Sequence, residues 1–470
     1  MFLGINSHTN LNQNALVDSY GDAITYQELI DFSNLKLKSI VKEKSLLFII
    51  SNNQVGAAAM YYACLFNKIV PLILGSDISI QQLLDLKDKY QPNYIVYPQQ
   101  QKNKWSSVLE HTISSIYNYN ISSTNSEEVK MHKDLALLLS TSGSTGSPKL
   151  VRHSFKNIET NAKNVAKVFD IKPDHKPILF LPLQYTMGLS VLTSHLFGGA
   201  TIYLTDLGLT DKNFWSYLET SKITNFTGVP FSFDILNKLR FFKKNKYHSL
   251  KIISQGGGKL NENLYKIIAD FCHENQIKFI PTYGQTEGTA RMSFLSSEKV
   301  LNKICSIGNA IPEGKIDIVD ENKNIISETD KAGEMVYKGP NVTMGYAETK
   351  NDLIKDDEFK GELYTGDIAY FDQERDLFIV GRKKRFLKIY GLRISLDVVE
   401  QSIKNNFDTD VYCYGDDSCL QVIITNNDLI EKIRNHTLNF TNLFHKAVKV
   451  SSVKQIPRNN TGKVNFNVGI

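Results

Sequence analysis

The stretch LALLLSTSGSTGSPKLVRHS, Leu135 to Ser154, starts as an apolar run and breaks at Ser140 into hydroxyls and glycines that end at Lys149. Within Ser140 to Lys149 stand six Ser/Thr hydroxyls, two glycines three residues apart and one lysine. The apolar run reads as a buried strand. A strand that opens into Gly143-Ser144-Thr145-Gly146 lets the backbone curl until N–H groups and hydroxyls converge on one concavity, which suits phosphate oxygens, and Lys149 adds a mobile positive charge. The Walker order GxxxxGK[ST] does not fit, because the spacing here is GxxGxxK and Pro148 precedes the lysine. A plain polar surface loop is the alternative. Its place directly after a buried strand speaks for the phosphate reading.

Outward from that loop, "DLALLLS", "KPILFLPL", "ATIYLT" and "LKIISQ" read as further buried strands. Between them lie helical segments such as "ENLYKIIADFCHEN", where Leu264, Ile267, Ile268, Phe271 and Cys272 recur at helix spacing. Strands alternating with helices predict right-handed crossovers and a mainly parallel sheet covered on both faces, with ligands at the carboxyl ends of its strands. From Ser306 to Val380 short β-like runs ("KIDIVD", "GEMVYKG", "DLFIVG") replace the helical pattern, which suggests an antiparallel, barrel-like β region. After Gly381 comes a basic β-like run, a helix, two strands and another helix, a small α+β unit. The fold class is therefore α/β: a large N-terminal domain over residues 1–380 and a small α+β domain over 381–470.

At 470 residues the chain is long enough for two domains and a large core. Hydrophobic residues at 42% and charged residues at 22% are those of an ordinary folded protein. A net charge of +5 is small for this length and argues against nucleic acid as a partner, while anionic small molecules fit. Five scattered cysteines form no CxxC pair and have no histidines at metal-ligand spacing, so neither a disulfide framework nor a zinc site is expected. The N-terminus has no secretory pattern and no apolar run approaches a membrane span. A cytoplasmic protein with reduced thiols is expected.

Four more stretches carry chemistry. "PTYGQTEGTAR", Pro281 to Arg291, closes a strand with an aromatic, a glycine, a hydroxyl and a carboxylate. "YTGD", Tyr364 to Asp367, ends in an acid able to accept both hydroxyls of a ribose. "GRKKRFLKIYGLRIS", Gly381 to Ser395, opens the small domain, and "PRNNTGKVN", Pro457 to Asn465, sets a lysine close to the end of the sequence. With the Ser/Gly loop these five motifs, in this order and over nearly the whole chain, resemble the adenylate-forming superfamily of acyl-CoA synthetases, peptide-synthetase adenylation domains and luciferases.

The resemblance implies roles residue by residue. Thr141, Ser142, Gly143, Ser144, Thr145 and Gly146 would hold the β- and γ-phosphates of ATP, with Lys149 assisting. Gly256, Gly257 and Gly258 would let adenine approach the backbone, with Tyr283 stacked on the base beside Gly284. Thr286 would contact the α-phosphate, and Glu287 would ligate Mg²⁺, a hard cation that prefers oxygen donors. Asp367 would bind the ribose hydroxyls, with Arg382 close by. Lys463 would bridge the substrate carboxylate and the α-phosphate, two anions that otherwise repel. Lys384 would be the hinge of the small domain, which the resemblance implies to be mobile, and Gly391 would line the tunnel for the thiol.

Two departures bear on the acid. "LPLQYTMGLSV", Leu181 to Val191, matches a family segment, but Tyr185 stands where acyl- and aryl-activating members commonly have histidine. No aspartate accompanies Thr186, where amino-acid-activating members pair the substrate ammonium, and an ammonium buried without its carboxylate is costly. Asp234 in "FSFD" lies too late to supply it and is read as a helix residue. Tyr185, Phe226, Phe231 and Phe233 are candidates for the acyl pocket, with core packing as the alternative for each.

The expected function is thus ATP-dependent formation of an acyl-adenylate and pyrophosphate, then transfer of the acyl group to coenzyme A or to the phosphopantetheine of a free-standing acyl carrier protein. The sequence ends seven residues after Lys463, which leaves no room for a fused carrier. The rivals are a stand-alone amino-acid adenylating enzyme and a non-catalytic adenylate-binding protein.

Overall fold

The computed structural model describes residues 2–109, 111–124, 126–140, 149–243, 247–390, 392–416, 418–458 and 464. The proposed phosphate-loop residues Thr141 to Gly146, the tunnel glycine Gly391 and Lys463 lie outside these.

Two large sheets dominate. Among the described residues one has nine strands, in the spatial order 309–310, 293–294, 278–283, 252–255, 225–228, 177–179, 202–204, 14–18 and 23–25. The six from 278–283 to 14–18 are parallel, and the short strands at either end are antiparallel. The other has eight strands, with Leu46–Ser51, Val70–Gly75, Tyr94–Pro98 and Leu135–Ser140 parallel at its centre. Leu46–Ser51 is buried at every residue, as a parallel strand covered on both faces must be. "DLALLLS" and "LKIISQ" form the strands Leu135–Ser140 and Ile252–Gln255. "KPILFLPL" yields only Pro177–Leu179, because Pro182 has no N–H to give a ladder and the chain turns there toward the helix Thr186–Phe197.

Helices fill the space between the sheets. Val55–Phe66 is buried from Val55 to Leu65, with no polar face, so it is an interior helix. Its N-terminal amide, Val55 N, donates to Asp18 Oδ2 at 2.9 Å, an anion placed at the positive end of the helix. Phe155–Val168 starts directly after the strand Leu150–Ser154. Ser154 and Asn157 cap each other reciprocally, and Ile158, Ala162 and Val165 then turn one apolar stripe inward. The core formed this way takes residues from both sheets, including Leu16, Leu204, Leu47 and Leu137. Glu262–Glu274 covers the outer face of the nine-stranded sheet through Leu264, Ile268, Phe271 and Cys272, while Ile267 at the same spacing is exposed.

Residues 315–382 make an open antiparallel sheet, Lys315–Val319, Gly333–Lys338, Glu362–Phe371 and Leu377–Arg382 in chain order, not a barrel. Among the described residues no ladder joins the first strand to the last, so the sheet does not close.

Beyond it come the hairpin Phe386–Ile389 with Leu392–Ser395, the helix Leu396–Asn406, a three-stranded sheet (411–415, 420–424 and 448–452) and the helix Ile430–Thr441. Its core cluster runs from Leu387 to Val448 and draws on no earlier residue. No described helix is long and apolar enough to cross a membrane.

Candidate active site

The parallel strands Asn225–Gly228, Ile252–Gln255 and Lys278–Tyr283 run in register and end at one rim of the nine-stranded sheet. The segments leaving that rim, together with residues of the open sheet and of the helix Leu396–Asn406, line a cleft of about 1650 Å³. Tyr283, Gly284, Thr286, Glu287, Asp367 and Arg382 all face it.

Asp367 and Arg382 are cross-strand partners in the pairing of Glu362–Phe371 with Leu377–Arg382, which sets Arg382 Nε 3.1 Å from Asp367 Oδ1. The other carboxylate oxygen, Oδ2, accepts the Tyr283 hydroxyl at 2.5 Å and Gln285 Nε2 at 2.8 Å. Burial, reinforced by the Asp367 charge, pushes the Tyr283 phenol well above its ordinary value, so it stays a donor. A carboxylate offers about four acceptor sites. With three filled, taking both hydroxyls of a ribose would require one of these donors to let go.

Thr286 starts a short 3-10 turn, and its Oγ1 lies 3.2 Å from Thr186 Oγ1, the first residue of the helix Thr186–Phe197. Glu287 Oε1 accepts the Tyr346 hydroxyl at 2.7 Å, and Glu287 O accepts Thr343 N at 2.9 Å. Oε2 carries no hydrogen bond among the described residues. Burial and the Glu287 charge raise the Tyr346 phenol. One open carboxylate oxygen is what a Mg²⁺ ion shared with phosphates uses, since that ion keeps most of its ligands from water and substrate. Lys149 Nζ pairs with Glu348 at 2.7 Å and lies 6.0 Å from the Tyr346 ring centre.

The glycines serve the chain itself. A Cβ on Gly284 would come within 1.3 Å of Ala290 O, so the return of the chain after Glu287 needs that position bare. Gly257 has φ +78°, in the left-handed region. A Cβ on Gly256 would meet the Met187 methyl at 2.4 Å, and one on Gly258 would approach Pro230.

The segment around Lys384 is held from both sides. Lys383 pairs with Glu334 of the open sheet at 2.7 Å, whereas Arg385 pairs with Asp397 at 2.8 Å and Glu400 at 2.5 Å on the helix Leu396–Asn406. Lys384 between them is exposed, lines the cleft and makes no ion pair among the described residues. Arg458, bound to Asp410, and Val464 line the cleft from the C-terminal side.

Of the aromatic candidates, Tyr185 and Phe231 line the cleft, while Phe226 and Phe233 are buried in the core beneath the nine-stranded sheet. Asp234 lies in the helix Pro230–Lys238. Sequence reasoning missed Gln285 and Tyr346. Gln285 sits inside a quoted motif but carries no charge to mark it. Tyr346 reaches Glu287 only because Tyr346–Ala347 pairs with Leu150–Val151, which no spacing discloses.

Carboxylates and hydroxyls thus gather in one cleft where the parallel strands of an α/β fold end and the open antiparallel sheet begins. The family described as AMP-binding enzyme matches residues 6–347, and the chain belongs to it, within the adenylate-forming superfamily its motifs resemble. Among curated relatives, luciferin 4-monooxygenase of Luciola mingrelica is 26% identical over 73% of this chain and 64% of its own length. The 2-succinylbenzoate–CoA ligase of Oceanobacillus iheyensis is 24% identical over 96% of this chain and 94% of its own. The chain is thus an enzyme with acyl-CoA-synthetase-like relatives. In fold it matches O-succinylbenzoate coenzyme A synthetase (MenE) from Bacillus subtilis in complex with AMP, TM-score 0.79 at 20% identity, covering 98% of this chain and 96% of that one. ATP-bound MatB from Rhodopseudomonas palustris gives TM-score 0.79 at 19% identity, covering 100% and 98%.

Proposed function

We propose that the chain is an ATP-dependent acid–thiol ligase. A substrate carboxylate oxygen attacks the α-phosphorus of ATP and pyrophosphate leaves; a thiolate then attacks the acyl carbonyl and AMP leaves. The observation that carries this reading is the convergence of Thr286, Glu287, Tyr283 and Asp367 on one cleft at the rim of a parallel sheet.

In this reading Asp367 exchanges one of its present donors for ribose hydroxyls while Arg382 holds its other oxygen. Thr286, steadied by Thr186, faces the α-phosphate. Glu287, oriented by Tyr346, offers its free oxygen to Mg²⁺, which would neutralise phosphate charge. The loop Thr141 to Gly146 cradles the outer phosphates, and Lys149 joins it by leaving Glu348, an exposed pair that costs roughly 0–1 kcal/mol to break. Lys463 brings positive charge to the two reacting anions; its chain neighbour Val464 lines the cleft, which supports that role. Lys384 is the pivot, between one residue tied to the open sheet and one tied to the helix Leu396–Asn406, on which residues 381–470 reorient for the thiol step, with Gly391 beside the entering thiol.

Coenzyme A is the first acceptor to test, because the relative that matches nearly end to end is a CoA ligase; a carrier-protein phosphopantetheine is the second. The amino-acid rival lacks its carboxylate: the cleft offers Gln184, Tyr185, Thr186 and Met187 where that acid would stand. Isotope exchange between pyrophosphate and ATP, run with Mg²⁺ against panels of fatty, aryl, hydroxy and amino acids, tests the reading. Exchange dependent on a non-amino acid is expected. Silence with every acid would leave an idle nucleotide binder.

A further inference from the structure

Among the described residues two arginines are fully buried, and the fold treats them differently. Arg152, 0% exposed, donates to the carbonyl oxygens of Tyr346, Lys355, Met344 and Asp356 and to the Glu358 carboxylate at 2.8 Å. Arg291, 1% exposed, donates only from Nη1, to Ser190 Oγ at 2.6 Å, and rests on the Phe169 ring with Cζ 4.9 Å from its centre. Among the described residues its Nε and Nη2 have no acceptor. No carboxylate pairs with it among the described residues. Burial without a counter-charge draws its pKa down to about 9. An unpaired buried guanidinium is costly, and the cost vanishes when an anion completes it.

The idle donors are the right ones. Nε–H and Nη2–H lie along one edge of the guanidinium plane, the edge that grips a carboxylate through two parallel hydrogen bonds. Their position is also telling. Ala290, next in the chain, lines the cleft, and so does Met187. Ser190, the one hydrogen-bond partner of the guanidinium among the described residues, sits one helical turn beyond Met187 and four residues, about 6 Å along the axis, from Thr186. Thr186 in turn touches Thr286. Met187 and Ala290 thus line the cleft, with Arg291 following Ala290 in the chain and its partner Ser190 one turn further along the helix that carries Met187. A methionine, unbranched and flexible, is the side chain most able to withdraw.

On the ligase reading above, we propose that the acid activated is a short dicarboxylate: one carboxylate reacts beside Thr186 and Thr286, and the other is held by Nε and Nη2 of Arg291 after Met187 swings aside. Arg291 is then a specificity residue with no part in the chemical step.

The test is pyrophosphate exchange with malonate, succinate and glutarate against propionate, butyrate and valerate, on the unaltered chain, R291M and R291K. The quantity read is the ratio of kcat/KM for diacid over monoacid, which does not depend on how much of each protein is folded. The unaltered chain is expected to favour its best diacid by about 10²-fold, the scale of two charge-assisted hydrogen bonds. R291M should bring the ratio to one or below, and R291K, which keeps the charge but not the two-pronged edge, should keep roughly a tenth of the preference. A monoacid preference in the unaltered chain, or a ratio left intact by R291M, overturns the proposal. If R291M does not fold, an unchanged ratio in R291K overturns it instead. Exchange with none of these six acids overturns this proposal, whereas the ligase reading falls only if the wider panel of fatty, aryl and hydroxy acids is silent as well.

Discussion

Tyr283 and Asp367, 84 residues apart, share a half-buried hydrogen bond of 2.5 Å that ties the rim of the parallel sheet to the open antiparallel one. Arg382 and Gln285 complete the same carboxylate. The nucleotide contact proposed for Asp367 is therefore part of the joint between two sheets, which sets the terms for testing it.

Replacing Asp367 with Asn keeps the shape and removes the charge that Arg382 and Tyr283 address. A KM for ATP raised by about 10- to 100-fold is expected, with a smaller change in kcat, the scale for a hydrogen bond to a charged group. Initial rates of exchange at varied ATP give the number. An unchanged KM would take Asp367 out of the nucleotide site.

Tyr346→Phe removes the only side-chain hydrogen bond to Glu287 among the described residues. The Mg²⁺ concentration at half-maximal rate should rise by roughly tenfold, as for other residues that orient a metal-binding carboxylate. The KM for the acid should stay put. A shift in the acid instead of in Mg²⁺ would assign Tyr346 to a different part of the cleft.

Lys463→Ala is expected to slow adenylation by about 10²- to 10³-fold, the cost of one preorganised charge in the transition state. Transfer from preformed acyl-AMP to the thiol should be far less affected. Equal losses in the two half-reactions would contradict the role.

A proline at Lys384 restricts φ between two residues that are each pinned by ion pairs, Lys383 to Glu334 and Arg385 to Asp397 and Glu400. Thioester formation should fall more than adenylation, measured as single turnovers of each step. Parallel loss of both would refute the hinge.

Acid should unfold this chain earlier than its surface charge suggests. His153 and His195 are buried, and desolvation holds both imidazoles down to about 3. In the unfolded chain they protonate near ~6.5. The stability their neutral forms contribute is whole above that value and is lost as pH falls toward 3, because the unfolded state binds the extra protons. Urea midpoints measured between those limits should decline steadily, and His195→Gln should flatten the decline. An unaltered slope in the variant would mean that other groups govern it.

The motifs were legible because each is compact: strand, bare glycine, hydroxyl and carboxylate follow one another within a few residues, so the place of Thr286 and Glu287 at a strand end could be read directly. The helix around Leu264 and Ile268 was legible for the same reason, its period being local. What escaped depends on pairing between distant strands. Tyr346 meets Glu287 through an edge strand two residues long, and the open sheet looked like part of a barrel because alternation within a strand carries no information about how many strands lie beside it. Arg291 stood in plain view in "TEGTAR", but only its lack of acceptors marks it out, and a lack of partners cannot be seen until every neighbour is placed.

The interior helix Val55–Phe66 has a further consequence. Because its apolar surface is shared by both large sheets, neither sheet can come apart without stripping the other, and the two should melt as a single calorimetric unit. The cluster from Leu387 to Val448 has its own filling and is free to melt at a different temperature. Heat would then separate the chain where catalysis is proposed to turn it, around the three basic residues that follow Arg382.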